Sequence, residues 1–149
     1  GQYAELGLLA LPFSSDHGGM DGGPVETMIV MEAFGKALID HEGVGFMLAE
    51  NLIDLKQAEL MIDWCARVLD TGSLGTAESP LATVAVSEAL MRIADRCVQV
   101  MGGMGVSGDT IVEKIFREIR AFRIYDGPTE VHKWSLAKKI KRDWAGKSH

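Results

Sequence analysis

The sequence predicts an all-α fold, an up-and-down helical bundle. Apolar residues recur at three-, four- and seven-residue intervals over several long stretches, the period of helices with one buried face. Glycine, proline and serine fall between those stretches, where they start and stop helices. No convincing strand pattern, a short run alternating apolar and polar residues, interrupts them.

The elements follow in order. Residues 1–23 open with the short helical stretch "YAELGLLAL", break at Pro12 and continue as the glycine-rich polar loop "SSDHGGMDGG". Pro24 suits the first turn of a helix that runs to about Leu38, with Glu26 adding negative charge at its start. A second helix begins near His41. Its apolar side carries Val44, Leu48, Leu52, Leu55, Ile62, Cys65 and Leu69, its polar side Glu50, Asp54 and Gln57, and "DTGSLG" ends it. Ser79 and Pro80 read as the N-cap and first position of a third helix. That helix places Ala85, Ala89, Ile93, Cys97 and Val100 on the core face and Glu88, Arg92, Arg96 and Gln99 on the wet face. Gly102 and Gly103 stop it. Asp109 caps a fourth helix with Ile111, Ile115 and Ile119, and Pro128 opens a fifth with Val131, Trp134, Ile140 and Trp144.

Composition narrows the function classes. The chain has 149 residues, 47% of them hydrophobic and 24% charged, which is enough to bury one core without disulfides or metal. No apolar run is long enough to span a bilayer, and "LGLLALPF", short and without basic residues ahead of it, does not read as a signal peptide. Cys65 and Cys97 lie in helical apolar patterns with no metal-type spacing to His17, His41, His132 or His149, so both read as reduced core residues and no metal site is expected. The net charge of −6 conceals an asymmetry: from Thr110 onward ten Lys and Arg face five Asp and Glu. A basic end could meet phosphates, but it also complements a helix C-terminus, as in "KKIKR". The overall negative charge and the lack of interleaved aromatic residues speak against nucleic acid as a partner.

One motif needs its context. In "QVMGGMGVSGD" the glycines at 103, 105 and 108 have the spacing of a dinucleotide-binding turn, but that fingerprint has meaning only between a strand and a helix. Here a helix precedes it, so a Rossmann turn is excluded. Two readings stay open: a helix end with its connector, or a glycine turn that offers backbone N–H groups to an anion.

The stretches "FGKALIDHEGVGFMLAENLIDLKQAEL", "QVMGGMGVSGD" and "RIYDGPTEVHKWSLAKKI" closely resemble, in the same order, the C-terminal helical domain of acyl-CoA dehydrogenases. Asp in "YDGPTE", at a position usually held by Glu, is like the members related to large multidomain acyl-CoA dehydrogenases. "ELGLLALPF" and "HGGMDGGPVETMIVMEAFGKAL" look like part of the family's N-terminal helical domain. The resemblance therefore implies two pieces: residues 1–38 from the N-terminal domain, with their last helix completing the bundle, and residues 39–149 from the C-terminal domain. The join falls within Phe34–Leu38, the family's middle β-domain has no counterpart, and Met31 stands where an arginine that clamps the cofactor phosphates is expected.

The resemblance also implies the chemistry. Family members take the α-proton of an acyl-CoA thioester with a carboxylate while a hydride leaves the β-carbon for FAD, giving a trans-2-enoyl-CoA in fatty acid metabolism. By position Asp126 is the candidate base, and Tyr125 and Gly127 line the thioester end of the substrate. Gln99, Val100 and Gly103 would reach the FAD of a neighbouring subunit; Phe34, Leu38, His41 and Glu130 match further cofactor contacts. The implied state is a homo-oligomer, a dimer or larger, inside the cell in the bacterial cytoplasm, mitochondrion or peroxisome. By residue chemistry alone the same positions read otherwise. Asp126–Gly127–Pro128 is a turn, Phe34 and Leu38 are core, and His41 is a helix-entry residue. Asp is also one carbon shorter than Glu, which draws the carboxylate back by about 1.5 Å. The second functional reading is a non-catalytic, self-associating bundle.

Overall fold

A computed structural model describes residues 41–146. Helix α1 spans Glu42–Asp70 and α2 spans Glu78–Met101; a 3-10 turn over Gly102–Val106 follows. Helices α3, Ile111–Ala121, and α4, Thr129–Ala145, complete the described chain, which contains no strand. The expected all-α architecture is present. The helix expected over 24–38, with Met31, Phe34 and Leu38, lies outside the described residues.

Helix α2 is the centre of the bundle, packed on by α1, α3 and α4. Helix α1 runs antiparallel to it. Asn51 approaches Cys97, Asp54 meets Arg92 and Arg96, and Cys65 lies 4.0 Å from Ser79. Helix α3 is antiparallel to α2 as well: Val112 packs with Cys97 and Met101, and Arg123, just beyond α3, pairs with Glu88.

The core is built from small and branched side chains. Ala58, Val86, Ala89, Leu90 and Ala94 pack with Ile115 and Ile119, and a second cluster joins Ile93, Cys97, Met101 and Val112. Both cysteines are free and buried, as the sequence predicts. Burial pushes the Cys97 thiol up to about 12, which makes it inert as a nucleophile.

Three helix starts differ from expectation. Helix α2 begins at Glu78 because the Ser79 amide donates to the Gly75 carbonyl at 2.9 Å, which winds the first turn before Ser79 can cap it. Thr110, not Asp109, is the extended N-cap of α3, and its hydroxyl donates back to the Met104 carbonyl. Pro128 is the N-cap of α4, so the helix proper begins at Thr129.

Two faces are also reassigned. Asp54, expected on the polar side of α1, is buried, as is Asn51. Arg96, expected on the wet face of α2, is largely covered and donates to Asn51, Asp54 and Glu50. Conversely Leu52 is 58% exposed, and on α4 Val131, Trp134, Ile140 and Trp144 are all more than half exposed. The physical reason is neighbourhood: α4 has α2 as its main partner, which can cover one narrow face of it.

Candidate functional site

The residues singled out by sequence fall into two groups at different levels of the bundle. The first is the connection between α3 and α4. The Ile124 and Tyr125 amides both donate to the Ala121 carbonyl, and the Thr129 amide reaches back to the Arg123 carbonyl at 3.3 Å, so the chain closes into a tight turn. Asp126 at its apex has φ +54°, a left-handed conformation that costs a non-glycine residue about 1–2 kcal/mol. Gly127 follows at φ +103°, where a Cβ would come within 2.7 Å of His132 Nε2. Glycine is required there.

The Tyr125 ring stands edge-on to Phe122 at 5.3 Å. Burial pushes its hydroxyl above its ordinary value, and the charges of Asp126 and Glu118 add to the rise, so Tyr125 stays neutral and can only donate or accept a hydrogen bond. Asp126 is exposed, as is Glu130 in the first turn of α4. The described residues alone therefore do not enclose Asp126 in the dry pocket that α-proton abstraction requires. Beneath the turn, Thr129 Oγ1 and His132 Nε2 are buried without hydrogen-bond partners among the described residues.

The second group lies around the end of α2. Gln99 is exposed on the last turn and Val100 is half-buried. Gly103 lies in the 3-10 turn, where a Cβ would meet nothing within 4 Å. Gly105 has a different role: a Cβ there would lie 2.4 Å from the Val98 carbonyl oxygen, so this glycine lets the turn pack on the helix that precedes it. Because the turn follows a helix, the dinucleotide-type spacing is no Rossmann turn, in agreement with the sequence reading. His41, the N-cap of α1, stands at the same end, since α1 and α2 are antiparallel.

The structure does not bring the two groups together. The Arg123–Glu88 ion pair, 2.9 Å between Nε and Oε1, fixes the turn at the level of Glu88. Gln99 is eleven residues farther along α2, about 16 Å at the rise of an α-helix. Phe34 and Leu38 lie outside the described residues.

Sequence reasoning missed two features. Asn51 and Ala58 continue the four- and three-residue spacing of Leu48, Leu55 and Ile62, which was the available signal that a polar residue faces inward there. The buried polar atoms Thr129 Oγ1 and His132 Nε2, from residues spaced by three on the first turn of α4, had no comparable signal.

Comparison with known proteins places the chain. Residues 25–141 match the family described as acyl-CoA dehydrogenase, C-terminal domain. Acyl-CoA dehydrogenase family member 11 of Rattus norvegicus is 38% identical over 116 residues, covering 76% of this chain and 15% of the relative. The (R)-benzylsuccinyl-CoA dehydrogenase of Thauera aromatica is 34% identical over 113 residues, covering 75% of this chain and 28% of the relative. The chain thus spans less than two thirds of the length of either relative. Among solved structures, a Mycobacterium smegmatis chain assigned to the acyl-CoA dehydrogenases superposes with a TM-score of 0.75 at 24% identity, covering 80% of this chain and 33% of its own. The FAD complex of PigA gives a TM-score of 0.75 at 17% identity, covering 80% and 33%. At those identities the likeness concerns the fold.

Proposed function

The chain belongs to the acyl-CoA dehydrogenase family, and on that premise we propose that it serves the FAD-dependent α,β-dehydrogenation of acyl-CoA thioesters to trans-2-enoyl-CoA, with Asp126 as the base. The observation that carries the reading is the turn itself: Asp126 is held in a left-handed conformation at an exposed apex between α3 and α4. Strained residues cluster at active sites, and this one sits where the family resemblance puts the base.

The chemistry assigns each group a task. An α-proton beside a thioester is weakly acidic, so the base must reach it and the carbonyl oxygen must meet hydrogen-bond donors as negative charge develops. Asp126 takes the proton, a main-chain N–H of the turn other than the bonded Ile124, Tyr125 and Thr129 amides would donate to the carbonyl, and Tyr125 and Gly127 shape the thioester end. FAD, when bound, supplies acceptance of the hydride that leaves the β-carbon. The open main chain at Gly103 and the exposed Gln99 fit the adenosine-side edge of that cofactor, with Val100, Glu130, His41, Phe34 and Leu38 as further contacts. The separation of about 16 Å along α2 supports contacts in trans: Gln99 and Gly103 of one copy would serve Asp126 of another. A homo-oligomer in an intracellular compartment follows from this reading.

A second reading is favoured by the exposed apolar side chains of α1 and α4, Phe46, Ile53, Leu60, Trp134 and Trp144 among them. They suit a non-catalytic bundle that self-associates. The visible absorption spectrum of the purified protein, followed by solvent deuterium exchange at the α-carbon of an acyl-CoA, separates the two. A stoichiometric flavin band with exchange supports the enzyme. A colourless, associating protein without exchange overturns it in favour of the bundle.

A further inference from the structure

We infer that His132 is a positioning residue for Asp126: its imidazole, packed against Gly127, holds the left-handed turn that presents the carboxylate. The inference rests on the proposal that Asp126 is the base. A Cβ built on Gly127 would lie 2.7 Å from His132 Nε2 and 3.0 Å from Cε1, so the ring fills the space that any side chain at 127 would need. Nε2 itself is buried and has no hydrogen-bond partner among the described residues, so the ring acts on the turn by shape.

The rest of the turn is tied only at its ends. The Ile124 and Tyr125 amides are bonded on one side and the Thr129 amide on the other. Asp126 and Gly127, both at positive φ, lie between those ties. The main chain that carries the imidazole is fixed, since the His132 amide donates to the Pro128 carbonyl at 3.2 Å in the first turn of α4. Order therefore passes from the helix through the imidazole to Gly127 and on to Asp126. A strained conformation persists only where its surroundings over-determine it, and the imidazole is the side chain placed to do so.

The test compares His132→Ala, which removes the ring, with His132→Gln, whose flat amide reaches the position of Nε2. The backbone 15N heteronuclear NOE of residues 125–128 is measured in the 149-residue chain, with circular dichroism as the control for helix content. In His132→Ala the NOE at Asp126 and Gly127 should fall while the helices persist; in His132→Gln it should hold. With FAD added, α-deuterium exchange of butyryl-CoA should fall about tenfold or more in the alanine protein, with KM little changed, and recover in the glutamine protein. His132→Ser takes the place of His132→Ala if the latter does not fold. An unchanged NOE in the alanine protein, or equal loss in both variants, overturns the inference. A wild-type protein that shows no exchange refutes Asp126 as the base, and the NOE comparison then decides by itself whether His132 sets the turn.

Discussion

Arg96 reaches across the α1–α2 interface to Asp54, with 2.7 Å between Nη1 and Oδ2, and Arg92 closes on the same carboxylate at 2.5 Å from its other side. Asn51 shares Arg96, so a polar knot sits where the two longest helices meet. Removing the Asp54 charge leaves Arg96, which is largely covered, with Glu50 as its remaining carboxylate, while Arg92 is open to solvent. Asp54→Asn should therefore lower stability by about 1–3 kcal/mol, measured by urea unfolding. A loss below about 0.5 kcal/mol would show that the knot contributes little.

The same carboxylate gives a pH dependence. Burial pushes the Asp54 carboxyl up, but hydrogen bonds and charge from Arg92 and Arg96 outweigh it and hold the group below its ordinary value. A depressed folded-state pKa contributes stability that is present above the ordinary carboxylate range and is lost as pH falls through the folded value. Stability should decline steeply in acid below about pH 4, and Asp54→Asn should flatten that decline. Parallel profiles for the two proteins would assign acid sensitivity to other groups.

Two neighbouring glycines should respond in opposite ways to one methyl group. Gly105→Ala drives a Cβ against the Val98 carbonyl oxygen, whereas at Gly103 the space is open. The first change should cost about 1–3 kcal/mol and the second almost nothing, read from thermal melts. Equal effects would contradict the close packing of the 3-10 turn on α2.

At Asp126 the substitutions separate base from turn residue. Asn tolerates the left-handed conformation but cannot accept a proton at neutral pH, so Asp126→Asn should abolish α-proton exchange with helix content intact. Asp126→Glu should raise exchange by restoring reach. Exchange that survives in the Asn protein leaves Asp126 a turn residue.

Association is expected through the exposed apolar faces. Phe46, Ile53 and Leu60 recur at seven-residue spacing on α1, and each is more than half exposed. Light scattering should find a dimer or larger at micromolar concentration, and Leu60→Ser with Trp134→Ser should weaken assembly by about tenfold or more. A strict monomer would count against both functional readings.

What the sequence by itself determined is local. The helical period, the glycine stops at 102 and 103 and the turn at Asp126–Gly127–Pro128 follow from interactions within a few residues, and the all-α class follows from them. The likeness to the family was legible in the same way, from ordered motifs. Tertiary structure decided which faces are covered. Asn51 and Asp54 are polar yet buried because Arg92 and Arg96 arrive from another helix to satisfy them. Trp134 and Trp144 are apolar yet exposed because α4 has α2 as its main described neighbour. Helix period fixes which residues share a face, whereas burial depends on the helix that comes to lie against it. For the same reason only the antiparallel packing on α2 could set Asp126 at the level of Glu88 and leave Gln99 about 16 Å farther along the axis.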